Sequence, residues 1–174
     1  ITEQTVGVPI RSSMEVVQIG SVLSQHGNQV PLYIDAIAHD QADLVIPFVR
    51  IKPHTGFKGP VESGIGKMLT IGLGKHVGCS RLHREGMMVF DHLIPAAGQV
   101  VLDTGKIGFV LAVVENAYEQ TALVEAIPHN NAIEREKQLL IEAKRLIARF
   151  LMPHIDVLVI EQFGKNISGI GMDA

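Results

Sequence analysis

The stretch IGFVLAVVENAYEQTALVEAIPHNNAIEREKQLL, residues 107–140, decides the fold class. Ile107–Asn116 is an almost unbroken apolar run, the pattern of a central strand buried in a sheet. Gln120–Pro128 alternates well enough to pair with it. A helix follows over Ala132–Leu151, with Leu140, Ala143, Ile147 and Phe150 on one stripe and Glu, Lys and Arg on the other. Asn130 and Asn131 offer N-caps, Glu134 stands three residues after Asn131 at a capping-box spacing, and Pro153 stops the helix. Asp156–Gln162, DVLVIEQ, reads as another buried strand.

Upstream, Met14–Gly20 and Gln29–Ile34 read as short strands joined through His26, Gly27 and Asn28, the last two with turn chemistry. Ala36–Ala42 fits a short helix. Asp43–Ile51 has the continuous apolar pattern of a buried strand, with Pro47 marking a bulge or an irregular end. Gly64–Leu73, Val77–Arg84 and Val89–Gly105 read as helices, the last kinked or started by Pro95. Strands alternating with helices give an α/β class with a mixed, largely parallel sheet and flanking helices, in a single domain over residues 1–174.

Composition bounds the function. The chain is 47% hydrophobic, as suits strands buried on both faces, or a face covered by the rest of a larger molecule. Its net charge is −3 with no basic run, which excludes nucleic-acid binding as the main task. The lone Cys79 excludes an intrachain disulfide framework and predicts a reducing compartment. There is no apolar run of spanning length and no signal-peptide pattern, so the protein reads as soluble and cytoplasmic. Starting with Ile1 and ending on the glycine-punctuated GKNISGIGMDA, it reads as a fragment of a larger, two-domain protein.

Ligands of open α/β sheets sit where strands end. Two such ends are polar and glycine-rich. One follows Ile51 and carries Lys52, His54, Lys58, Glu62, Ser63 and Lys67; the other follows Ile160 and carries Glu161, Gln162, Lys165 and Asn166. Were both to face one sheet edge, they would form a cationic pocket with one histidine, suited to a small anion. Solvated lysines and turn glycines are the competing reading, and the residues alone leave both open. No GxxxxGK[ST] occurs, and GLGKHVG lacks the dinucleotide spacing. Among the eight histidines, His26, His39 and His129 read as surface residues, and His92 and His154 as structural ones. His54, directly after a buried strand, stands where catalytic bases are common. His76 and His83 are seven apart on one helix, which is not the i, i+4 spacing of a two-histidine metal clamp.

The run KPHTGFKGPVESGIGKMLTIGLGK, with GVPIRSSMEVVQIG before it and GKNISGIGMD after it, resembles the nickel-pincer lactate racemase family and its relatives of unknown substrate. The resemblance covers essentially the whole chain, as an interior portion of a protein more than twice as long. It implies a covalently attached nickel-pincer nucleotide, joined to the lysine of SGIGK, here Lys67, with Ser63 and Gly64 allowing close backbone approach. It further implies a metal-binding histidine, matched best by His83 with His76 as competitor, and a catalytic histidine at His54. Gln162 and Lys165 match substrate-binding positions. The loop between His54 and Lys67 is longer than in the lactate enzyme. The implied activity is racemisation or epimerisation of a small 2-hydroxy acid, with His54 or a partner as general base. The second base and the cofactor-phosphate ligands are expected upstream of Ile1, so the isolated chain is expected to be inactive. Two other readings stand beside it: a non-catalytic module binding a small anion or nucleotide, and an assembly domain forming a homo-oligomer or contacting the rest of a parent chain.

Overall fold

The computed structural model describes residues 2–162 and residue 164. After a short helix α1 (Glu3–Val6), β1 (Val16–Leu23) and β2 (Gln29–Asp35) pair as an antiparallel hairpin, and α2 (Ala36–Asp40) follows. Then come β3 (Phe48–Arg50), α3 (Ile65–Lys67) running into a π-helical turn over Met68–Gly72, and α4 (Lys75–His83). A 3-10 turn (Met87–Val89) leads into α5 (Phe90–Leu102), and β4 (Phe109–Glu115), β5 (Thr121–Pro128), a second 3-10 turn (His129–Asn131) and α6 (Ala132–Leu146) complete the order.

The α/β class and the mixed sheet are as expected. β4 is central, parallel to β3 and antiparallel to β5, so the parallel component is confined to β3–β4 and a bridge between Val45 and Ile107. Pro47 shortens β3: it accepts from the Leu111 N–H through its carbonyl (2.9 Å) but has no N–H to return. The strands are buried chiefly on one face, although Val113 on the other is buried as well. Val49, Ile51, Val110, Ala112 and Val114 enter the core, whereas Ile46, Phe48 and Val124 lie exposed.

Two clusters of apolar side chains make the interior, and α5 serves both. Its Val101 and Leu102 join Ile51, Ile65, Leu69, Leu139 and Leu140 against the three-stranded sheet. Its Phe90, Leu93, Ile94 and Ala97 join Val30 and Leu32 of the hairpin, Leu82 of α4, and Phe57 and Val61 of the loop after β3. Each large side chain so buried contributes about 1.5–3 kcal/mol. Pro95 lies inside α5, not at its start.

Four expectations are corrected. Helix α6 ends at Leu146, five residues early, because Ile147 turns extended (ψ 153°) and Phe150 has no surface to pack on. Helices hold chiefly through their packed face, so an unpacked last turn is lost. The capping box does not form: the preceding 3-10 turn holds Asn131 at φ −117° and ψ 5°, outside the extended region a cap requires. Asp156–Gln162 is not a strand; it has no ladder partner among the described residues, and Val157 and Val159 are about as exposed as in an unfolded chain. His92 and His154 are not structural but exposed, each against a neighbouring aspartate. Among the described residues no helix is long and apolar enough to cross a membrane.

Candidate functional site

The chain leaves β3 at Ile51 and makes a loop whose base is closed by mutual backbone bonds between Lys52 and Ser63 (2.8 and 3.2 Å). Buried Phe57 and Val61 anchor it in the second core. Its interior is organised by Glu62, which is fully buried. Glu62 Oε2 accepts from the His54 backbone N–H (2.8 Å), and Oε1 accepts from the Gly59 N–H (3.3 Å) and from Lys144 Nζ of α6 (2.6 Å). Burial pushes the Glu62 pKa up, but the Lys144 ammonium and the two N–H donors outweigh it and hold the carboxylate below its ordinary value.

His54 is half-buried. The Gly56 N–H donates to its Nδ1 (2.9 Å), and Lys58 Nζ donates to its carbonyl oxygen (3.0 Å). A ring nitrogen that accepts an N–H carries no proton, so neutral His54 keeps its proton on Nε2. Burial, then the nearby charge of Lys67 with lesser help from Lys58 and Lys52, lowers its pKa against an opposing pull from Glu62.

After Ser63 the chain enters α3 through Gly64 and Gly66. Both are filled positions rather than an open cradle: a Cβ on Gly64 would lie 2.4 Å from Glu136 Oε1, and one on Gly66 3.0 Å from Ile94 Cγ2. Glu136, fully buried on α6, accepts from the Gly66 N–H (2.7 Å) with Oε2, while its Oε1 has no hydrogen-bond partner among the described residues. Burial, against the N–H groups of Gly66 and Ile65, pushes its pKa up to about 7. The start of α3 is thus closed by an internal carboxyl, and its N–H groups are not offered to an external anion. Spacing did carry a signal for Glu136, which stands four residues before Leu140 and seven before Ala143 and so interrupts the apolar stripe of α6 with a carboxyl.

Lys67 ends α3 where the helix widens into the π turn, whose Leu73 N–H reaches Met68 O (2.8 Å); such turns are frequent at functional sites. Its side chain is partly buried and, among the described residues, makes no ion pair or hydrogen bond. Burial, then the charge of Lys52, lowers its amine pKa, opposed by Cys79. An amine so placed is a better nucleophile near neutral pH than a solvated lysine. His83 lies exposed at the end of α4, and its Nδ1 is 2.8 Å from the Cys79 carbonyl. A carbonyl only accepts, so Nδ1 carries the proton and neutral His83 has its lone pair on Nε2, the arrangement that suits a metal ligand. A relay of ring contacts joins His54 to Phe57 (4.5 Å), Phe57 to Phe90 (5.5 Å) and Phe90 to His83 (5.1 Å). Among the described residues no such contact links His76, which is exposed on the same helix.

His54, Ser63, Gly64, Lys67 and His83 therefore gather around one loop and the two helices after it. Gln162 lies exposed at the end of residues 156–162, and among the described residues no hydrogen bond ties it to the loop. Lys165 falls outside the described residues. A cleft of 580 Å³ lined by Arg11, Asp35, Gln41 and Leu73 contains none of the predicted site residues. Among the described residues no three His, Cys, Asp or Glu side chains come together in a group that could hold a metal ion. No protein-family model matches the chain, and no curated protein matches it.

Proposed function

We propose that this chain is part of a cytoplasmic racemase or epimerase for small 2-hydroxy acids, with a nickel-pincer nucleotide attached at Lys67 and its metal completed by His83. One observation carries this reading: Lys67 is a partly buried amine with no ion-pair partner among the described residues, its pKa lowered by burial and by Lys52. The residues fit the group in part. Lys67 supplies an amine able to form an amide, and His83 a free Nε2. With three donors coming from the cofactor, one protein histidine suffices. The glycines do not contribute a cradle, since Glu136 and Ile94 fill their space.

When bound, the cofactor supplies a reversible acceptor for the hydrogen of the substrate α-carbon. His54 exchanges the hydroxyl proton at Nε2. It can do so only in the tautomer with the proton on Nδ1, which requires the Gly56 N–H to turn away, because two N–H groups cannot face each other. In the conformation described here His54 offers Nε2–H, a donor that holds the substrate oxygen. Lys52 and Lys58 give the loop a positive field for the carboxylate. The proton returns to the oxygen once the flat ketoacid has regained its hydrogen on the other face.

The same cations favour a second reading, a module that binds a small anion without catalysis. Intact mass and nickel content decide between them, measured on protein co-produced with the cofactor-making enzymes beside Lys67→Ala. A mononucleotide-sized adduct that disappears in the variant, with nickel bound, supports the racemase. An unmodified, metal-free protein that still binds small carboxylates or phosphate leaves the anion module.

A further inference from the structure

The turn from His54 to Gly59 stands on two feet, and Glu62 holds both. Its Oε2 takes the His54 N–H at 2.8 Å and its Oε1 the Gly59 N–H at 3.3 Å. Between these feet the chain folds so that the Gly56 N–H meets His54 Nδ1 at 2.9 Å, the contact that fixes the ring proton on Nε2. Glu62 itself is fully buried, and its counter-charge is Lys144, brought from α6 to 2.6 Å. A buried carboxylate stripped of its counter-charge either takes up a proton or swings toward water, and both release a foot of the turn.

We propose that Glu62 and Lys144 are positioning residues that select the tautomer of His54. With the pair intact, the turn is closed and Nε2 is a donor. With the pair broken, Gly56 leaves the ring, Nδ1 becomes protonated, and Nε2 offers a lone pair. Only the consequence for turnover rests on the racemase reading; the tautomer itself does not.

The test uses the full chain with nitrogen-labelled histidine, whose long-range proton–nitrogen NMR spectra show which ring nitrogen of His54 is protonated. Wild type is expected to show Nδ1 bare and Nε2 protonated. Lys144→Met keeps the aliphatic stem of a side chain that is 40% exposed. It should shift the tautomer ratio toward Nδ1–H by roughly fivefold or more, the effect of losing one net hydrogen bond. Glu62→Gln should shift it the same way, and Lys144→Arg should restore the wild-type pattern. Lys144→Gln, still able to donate to Glu62, provides a second measurement of the lost charge should the methionine variant not fold. An unshifted His54 in a folded Lys144→Met or Lys144→Gln protein overturns the proposal, even where thermal stability falls, because a merely structural bond would lower stability alone. A shifted tautomer in a chain that carries no cofactor and racemises nothing would sink only the functional reading.

Discussion

Glu62 and Glu136 are both fully buried, at opposite ends of the segment that joins β3 to α3, and they titrate in opposite directions. Helix α6 accounts for the difference. At the histidine end it extends Lys144 to Glu62, so the carboxylate stays charged and gathers two backbone donors. At the lysine end it inserts Glu136 itself, with the Gly66 N–H on one oxygen and, among the described residues, no partner on the other. Burial alone therefore does not set the state of a carboxyl here; what the neighbouring helix supplies does.

The sharpest way to break this contrast is Glu62→Leu. It removes the charge but strands the His54 and Gly59 N–H groups inside the loop, and a lost acceptor costs about 1–3 kcal/mol for each. Lys144 can reach solvent, so its own loss is small. Urea unfolding should show a decrease of about 4 kcal/mol in total. A decrease below about 1 kcal/mol would mean the loop closes without Glu62.

The second prediction is the pH signature. The folded state holds the Glu136 proton more tightly than the unfolded chain, where the ordinary value is 4.5. The stabilisation from this group is complete below that value and is lost as the pH rises toward about 7. The loss is on the order of 3 kcal/mol. Glu62 runs the other way: its folded pKa lies below the ordinary value, so its contribution is present above 4.5 and is lost as the pH falls through the folded value. Glu136→Gln should flatten the neutral side of the stability profile and leave the acid side unchanged. An unaltered neutral slope would show that another group titrates there.

Third, Gly64→Ala tests how tightly α6 is seated. Its Cβ would come 2.4 Å from Glu136 Oε1 and 3.1 Å from Ile51 Cγ1, both on buried side chains with little room to move. A loss of about 2 kcal/mol is expected from overpacking. Full stability would mean that the carboxyl swings aside freely, and with it the asymmetry between the two ends.

Local pattern read what local physics controls. The hairpin, β4, β5 and the existence of all the longer helices follow from periodicity and turn residues, and Pro47 announced the interruption of β3. The gathering of His54, Lys67 and His83 was partly legible, because the loop and both helices are contiguous in sequence. The two buried carboxylates were not legible in the same way. Glu62 reads as one more loop polar residue until the chain is folded, since Lys144 lies 82 residues away. Glu136 falls by spacing on the apolar stripe of α6, which marks it as buried, but its partner Gly66 lies 70 residues away and is named by nothing local. The capping box failed for a related reason: the residue types were right, but the 3-10 turn before them set the wrong backbone angles.

The smallest effect is expected where the sequence pattern was most misleading. DVLVIEQ has the same apolar run as the heart of β4, yet β4 is paired on both sides whereas residues 156–162 pair with no strand among the described residues. A strand is stabilised by its neighbours and by the area it removes from water, and this one has neither. Replacing Val157 and Val159 by serine should therefore change unfolding stability by less than about 0.5 kcal/mol. It should also reduce self-association, because exposed Val157, Leu158, Val159 and Ile160 form a β-prone segment. Sedimentation velocity and urea unfolding of the substituted and unsubstituted chains would check both parts. A large loss of stability on substitution would mean that this segment does find a sheet edge, and that Gln162 is carried there with it.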